Sequence, residues 1–424
     1  MNSTFRLFVL GVACLPLGLT GCGLESHPAY SPDVRYGVRS DPIVMAAPKL
    51  ADERVNPDRP GVLPMMRFDD IFKPDHPYHA KATAINDTIL RDPMKISGPD
   101  RSQIEASLRA FFGTPAEPII NAKALGISAK VMQDLKLDDE TLAMGATRYR
   151  IHCLHCHGVP GDGRGPTARW VNPHPRDFRS GTFKFASVDQ KTGPRLPSRA
   201  DLLRTLRLGL EGTAMPAFLL LKEEELESLV SYVIHLSIRG KAEMNVMKTD
   251  FAPDRDKGGV LDFVILNEEG PSTIPDLISG YSADNVNKWA ASLESASAIA
   301  VAPYKVDDMK ESIKRGKHLF TGDPIHPRGK TANCVSCHTD YGRQAKFKAD
   351  DWGTLVRPNN FTQGVFRGGK RPVDVYYRIH SGISGSGMNA FGGTLQPQDI
   401  WDLVNFVTVL PYPEMRRSMG VNID

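Results

Sequence analysis

Residues 151–166 read IHCLHCHGVPGDGRGP, and residues 334–338 read CVSCH. The first stretch places Cys153, Cys156 and the histidines His152, His155 and His157 within six positions. The second repeats the bare pattern as Cys334, Cys337 and His338. With 6 Cys and 12 His in 424 residues, chance supplies only about 0.002 copies of C-x-x-C-H. Two copies therefore demand a chemical reason.

Three chemistries use cysteines at this spacing. A four-cysteine zinc ribbon needs its two pairs roughly 15–20 residues apart, whereas Cys156 and Cys334 are separated by 178 positions. Two separate zinc sites fit poorly, because the second motif has no H-x-x-x-H partner in place. A redox dithiol has no use for the following histidine and comes with a βαβ pattern that the chain does not show. Covalent haem attachment uses every part. The two thiols add across the porphyrin vinyl groups, and the next histidine is held against the iron. Both motifs read as haem c sites, with His152 and His155 as bystanders.

The other cysteines point to export. Met1–Thr20 carries one basic residue, Arg6, followed by an apolar run from Leu7 to Leu19 and then Leu19-Thr20-Gly21-Cys22. An apolar core of about a dozen residues is short for a membrane span and suits an export signal. The residues before Cys22 resemble a bacterial lipobox. That resemblance implies cleavage before Cys22 and lipid on its sulfur and new amino terminus. Ordinary signal cleavage, leaving Cys22 a spare thiol, is the alternative. No later stretch approaches about 18 consecutive apolar residues. The expectation is an exported bacterial lipoprotein on the periplasmic face of a membrane, anchored without crossing it. Cys14 leaves with the signal, so the four motif cysteines leave none to spare for disulfides. The charge balance, 52 basic against 49 acidic residues, gives no concentrated basic face and argues against nucleic acid as a partner.

The motifs belong to a longer repeat. PRDFRSGTFK (175–184) matches PNNFTQGVFR (358–367) as Pro-x-x-Phe-x-x-Gly-x-Phe-basic. GLEGTAMPAF (209–218) matches GISGSGMNAF (382–391), and LVSYVIHL (229–236) matches LVNFVTVL (403–410). Each copy runs helix, cysteine motif, Gly/Pro-rich loop, methionine loop, closing helix. In the first copy Asp138 or Asp139 caps a helix bearing Leu142, Gly145 and Tyr149. The closing helix carries Leu226, Leu229, Val230, Val233 and Leu236 on one face. In the second copy Val306–Phe320 and Asp399–Leu410 play these parts. Gly145 and Gly316 would let the first and last helices cross closely.

This order resembles the class I cytochrome c family over roughly 140–238 and 306–412. The resemblance implies an all-α fold of two tandem class I cytochrome c domains, each wrapped around one haem. Carried over residue by residue, Cys153, Cys156, Cys334 and Cys337 attach two haems c, His157 and His338 are proximal iron ligands, and Met215 and Met388 are distal ones. Met388 is followed by Asn389 where Met215 has Pro216, and His380 lies eight residues earlier, so His380 stays open as an alternative ligand. Pro166, Pro175 and Pro358 are candidates for a carbonyl that accepts the proximal histidine's other N–H. Lys184 and Arg367 are matched cations, read as solvated loop charges rather than partners of haem propionates.

The expected organisation is a signal peptide (1–21), a Pro-rich tether and N-terminal extension (22–137) and a first domain (138–240). A connection (241–302), a second domain (303–415) and a C-terminal tail (416–424) follow. From His27 through Pro99 there are 11 prolines. Ser102–Phe112 reads as a short amphipathic helix, and Asp284–Ser297 as a helix carrying Trp289. Together these features predict a membrane-anchored electron carrier, not an enzyme. It would pass single electrons between a donor and an acceptor protein, as a subunit of a larger respiratory complex. The rival is a dihaem peroxidase, which needs an iron with an open distal position.

Overall fold

The computed structural model describes residues 30–45, 90–189, 195–254, 259–264, 273–294, 297–303, 306, 308–323, 332–346, 348–352 and 354–423. The signal segment, Cys22 and the middle of the Pro-rich stretch lie outside the described residues. The chain is mostly helical. The main helices are α1 (Gly98–Phe112), α2 (Ala129–Leu135), α3 (Asp139–His152), α4 (Arg199–Leu208) and α5 (Glu223–Thr249). They continue as α6 (Ile274–Ala291), α7 (Met309–Thr321), α8 (Pro372–Ser381), α9 (Pro397–Val409) and α10 (Pro413–Ser418). Three short antiparallel ladders depart from a purely α chain: β1 (Ile43–Val44) with β2 (Leu90–Arg91), β3 (Phe251–Asp254) with β4 (Val260–Phe263), and β5 (Lys348–Ala349) with β6 (Leu355–Val356).

Local chemistry sets the helix ends. Asp138 caps α3 by accepting from the Thr141 N–H at 2.9 Å. Ser97 caps α1, with Pro99 in its first turn. Asp308 caps α7, so that helix starts three residues later than the periodicity predicts. In α1 the residues Ile104, Leu108 and Phe112, four apart, are fully buried.

Apolar residues gather into two cores. The first draws on α1 to α6 and includes Leu142, Tyr149, Tyr232 and Trp289. The second draws on α7 to α9 and includes Phe320, Tyr376, Trp401 and Phe406. In each, the helix before the cysteine motif crosses the closing helix at a glycine. A Cβ added to Gly145 would lie 2.3 Å from the Ser228 carbonyl oxygen, and one added to Gly316 would lie 2.0 Å from that of Asp402. These are the crossings anticipated from the repeat, and no larger residue fits between the backbones.

Helix α5 differs from its expected length. Its pattern reads as ending near Leu236, yet it runs 27 residues to Thr249, through the boundary placed at 240. The sequence Arg239-Gly240-Lys241 resembles a helix end, but here it is buried inside one. Arg239 pairs with Glu243 at 3.5 Å and donates to the Gly37 carbonyl at 2.7 Å. Gly240 leaves room for Arg179, whose Cβ would be 2.4 Å from a Cβ at that position. The second half of α5 packs on α6, which begins at Ile274, ten residues before the helix expected around Trp289. Residues 98–137, grouped with the N-terminal extension, fold against the first core through Leu108, Phe112, Leu125 and Leu135.

Gly145→Val and Gly316→Val should each destabilise the protein by about 1–3 kcal/mol through overpacking. Gly280→Ala, in the interior of α6 with no heavy atom near its would-be Cβ, should instead gain about 0.5–1 kcal/mol. Urea unfolding of the three variants reads the contrast, and equal effects at all three positions would contradict it.

Candidate cofactor sites

At the end of α3 the chain makes a single helical turn, Leu154–His157. The Cys156 and His157 amides both donate to the Cys153 carbonyl, at 3.1 and 2.8 Å. In the second copy Cys337 and His338 donate to the Cys334 carbonyl at the same distances. Residues at i, i+3 and i+4 of such a turn share one face, so each motif presents two sulfurs and an imidazole together. No disulfide joins either pair. Among the described residues, no three His, Cys, Asp or Glu side chains gather as a metal site. Burial pushes the Cys153 and Cys334 thiols up to about 12, far from the thiolate that a redox dithiol requires.

Each histidine is held in two ways. His157 Nδ1 lies 3.0 Å from the Arg176 carbonyl oxygen, and His338 Nδ1 lies 3.1 Å from that of Asn359. A carbonyl only accepts, so Nδ1 carries a proton, and in a neutral ring Nε2 then keeps its lone pair. The Phe178 ring stacks on the first imidazole and the Phe361 ring lies tilted against the second, with centroids 4.6 and 4.7 Å away. Burial outweighs the Arg176 hydrogen bond and lowers His157 to about 4. It is therefore neutral, the form that binds a metal.

The accepting carbonyls correct the proline expectation. They belong to the residues just after Pro175 and Pro358. The Pro175 carbonyl lies instead against Gly163, where a Cβ would come within 2.5 Å of it. Gly163 and Gly342 were not singled out from sequence, yet both have positive φ, and their amides donate to the His157 and His338 carbonyls at 2.9 and 3.1 Å. Phe178 and Phe361, noted only as part of the repeat, are the residues that pack against the imidazole rings. The matched spacing in the two repeats was the signal that could have found them.

The methionine loops superimpose in their bonding. The Leu210 amide donates to the Met215 carbonyl and the Ile383 amide to that of Met388, both at 3.1 Å. The Phe218 and Phe391 amides bond back to Leu206 and Ile379. Gly209 and Gly382 both have positive φ, and each would bring a Cβ within 2.8 Å of its own methionine loop. Met215 packs against the first core and Met388 against the second. Met215 lines a cavity of about 560 Å³ together with Cys153, Cys156 and His157, a size suited to a bulky cofactor. The predicted residues of the first site thus converge. In the second half, Cys334 and Met388 both pack against one core, and the His380 ring lies on Gly392 and stacks on Tyr376.

Charges around the first cavity are not simply solvated. Lys184 pairs with Asp350 at 3.2 Å, and burial lowers its pKa to about 8; Arg367 is exposed at the rim. On another wall, Arg179 donates to both oxygens of Asp41, at 2.8 and 3.0 Å, and Arg39 approaches Asp41 at 2.7 Å. Arg179 also donates to Asp177 at 2.8 Å. Arg39 and Asp41 lie in the stretch read as tether, where no periodic pattern announced them.

A mostly helical chain whose paired Cys-x-x-Cys-His turns hold carbonyl-tethered imidazoles has the features of a c-type cytochrome. Comparison agrees. The family model described as cytochrome C oxidase, cbb3-type, subunit III matches residues 140–233 and 329–407, the two copies of the repeat. Haem c and haem-based electron transfer are what this match supports. Among solved structures the chain is similar to the Kuenenia stuttgartiensis reducing HAO-like protein complex Kustc0457/Kustc0458. The identity is 23% and the TM-score 0.43, over 63% of this chain and 95% of that one. Comparison with curated proteins gives no match.

Burial alone would raise the Asp41 carboxyl, yet Arg179, Arg39 and Arg164 hold it well below the usual carboxylate range. A depressed carboxyl contributes stability above its unfolded pKa of about 4 and loses it as pH falls further. Asp41→Asn should cost about 3 kcal/mol at pH 7, because it leaves arginines buried without their counter-charge. In urea titrations the gap to the parent protein should narrow on acidification below pH ~4. A gap independent of pH would refute the ion-pair account.

Proposed function

We propose that the protein is a membrane-anchored dihaem cytochrome c that carries single electrons between respiratory redox partners, as a subunit of a larger complex. What carries this reading is the repetition of one arrangement in both halves: a Cys-x-x-Cys-His turn, an Nδ1–H given to a carbonyl, and a methionine loop pinned through its own carbonyl. In the reading, Cys153 and Cys156 attach the first haem and Cys334 and Cys337 the second. The residues fit the group, since the cavity lined by Cys153, Cys156, His157 and Met215 is of cofactor size. The bound haem supplies a one-electron ferric–ferrous couple.

The chain's own residues do the remaining work. His157 and His338 offer Nε2, held in the correct tautomer by Arg176 and Asn359. Met215 and Met388 would each offer a soft thioether, which favours reduced iron and would raise the potential. Phe178 and Phe361 fix the imidazole planes, and the apolar walls limit water. If Met215 and Met388 each closed one iron, the reading would favour electron carriage over peroxide chemistry. Anchoring rests on Cys22 and the lipobox-like residues before it. No helix among the described residues is long and apolar enough to cross a membrane.

The test is the mature protein made in a host competent in cytochrome maturation. Its mass should exceed that of the polypeptide by two haems, and a polypeptide without them would end the reading. Met215→Ala and Met388→Ala should each abolish the sulfur–iron charge-transfer band of one haem and lower that haem's potential. Rapid carbon monoxide binding by the reduced parent, together with peroxide turnover, would establish the peroxidase reading instead.

A further inference from the structure

The first cavity is not completed by the first half of the chain. Asp350, Trp352, Thr354 and Val356, from the second half, line the same space as Cys153, His157 and Met215. They arrive on the β5–β6 hairpin. Asp350 Oδ1 accepts from the amides of Trp352 at 3.1 Å and Thr354 at 2.9 Å, which tightens that turn. Trp352 is then fastened to the first half. Its indole N–H donates to Ser180 Oγ at 3.0 Å, and the Arg176 guanidinium carbon sits 3.5 Å from the ring centroid. Lys184, paired with Asp350, stands 5.5 Å from the same centroid.

The other contact of the indole is in the second half. A Cβ on Gly385 would lie 2.3 Å from the indole's six-membered ring, and Gly385 has positive φ and accepts from the Asp351 amide at 2.9 Å. Gly385 lies within the turn from Ile383 to Met388. One tryptophan therefore touches Arg176, whose carbonyl holds His157, and also the loop that presents Met388.

We propose that Trp352 is a positioning residue shared by the two sites, keeping the proximal-histidine tether of the first and the methionine loop of the second in register. The proposal rests on the dihaem reading. Arg176 holds the imidazole by its backbone and meets the indole by its side chain, so a loss on one side is felt on the other. At Gly385 only a residue without a Cβ lets the loop close onto the ring. Replacing the indole by a smaller aliphatic group withdraws the surface on which both rest.

Purified full-length protein carrying Trp352→Leu, Trp352→Phe or Ser180→Ala is compared with the parent, the haems being assigned through the Met215→Ala and Met388→Ala spectra. Trp352→Leu should move the first haem's reduction equilibrium about threefold, the scale of one lost Arg–indole contact, or ~28 mV at 59 mV per tenfold. It should also weaken the second haem's sulfur–iron band. Hydrogen exchange should quicken across residues 174–184 and 383–388. Trp352→Phe should recover most of both effects, and Ser180→Ala should show the same pair at smaller size. Trp170→Leu, at an exposed indole elsewhere, should change neither. A change confined to one haem, or none in a protein whose mass shows both haems, overturns the proposal. A mass lacking haem overturns the underlying reading instead.

Discussion

One imidazole N–H given to one backbone carbonyl is the constraint around which each half is arranged. For Nε2 to remain available, Nδ1 must be satisfied, and in a part-buried site no bulk water does that reliably. The carbonyl comes from a loop about twenty residues further on, at Arg176 or Asn359. That loop reaches the histidine only because Gly163 and Gly342 leave no Cβ in its path. The phenylalanine two residues beyond each acceptor packs against the ring and limits its remaining freedom. Hydrogen bond, glycine and aromatic ring form one device, present twice.

The two copies share this device but differ in their surroundings. The first is embedded in a larger body, with α1, α2, α6 and the 30–45 segment folded over it. That enclosure brings charge into a buried region. Arg179, Arg39 and Arg239 are each less than a tenth exposed and are answered by Asp41, Asp177 and Glu243. Buried ion pairs of this kind are poor sources of net stability, but removing one partner is costly. They therefore act here as locks on the N-terminal segment. Among the described residues the second half has no such covering, and its hairpin at 348–356 leans on the first.

Much of this was legible because chemistry dictates local spacing. The Cys-x-x-Cys-His turns, the methionine loops and the glycines at the helix crossings depend on residues near in sequence or matched between copies. The stacking phenylalanines were visible as a pattern, though not as a role. What stayed hidden was long-range pairing. Arg239 and Gly240 are residue types that normally mark a helix end. Only the distant Glu243–Arg39 contact and the nearness of Arg179 make them interior residues. Asp41 stood in a proline-rich stretch without periodicity, and its partners Arg164 and Arg179 lie more than a hundred residues away.

The amino-acid sequence by itself determined the cofactor chemistry, the twofold repetition and the mainly helical character, since these follow from residue types at fixed short intervals. Only the tertiary structure decided which carbonyl receives each histidine proton, how far α5 runs, and that Trp352 stands between the two sites. Those outcomes depend on which backbone atoms and buried charges meet across long stretches of chain. Packing and desolvation settle that, and neither leaves a periodic trace in the sequence.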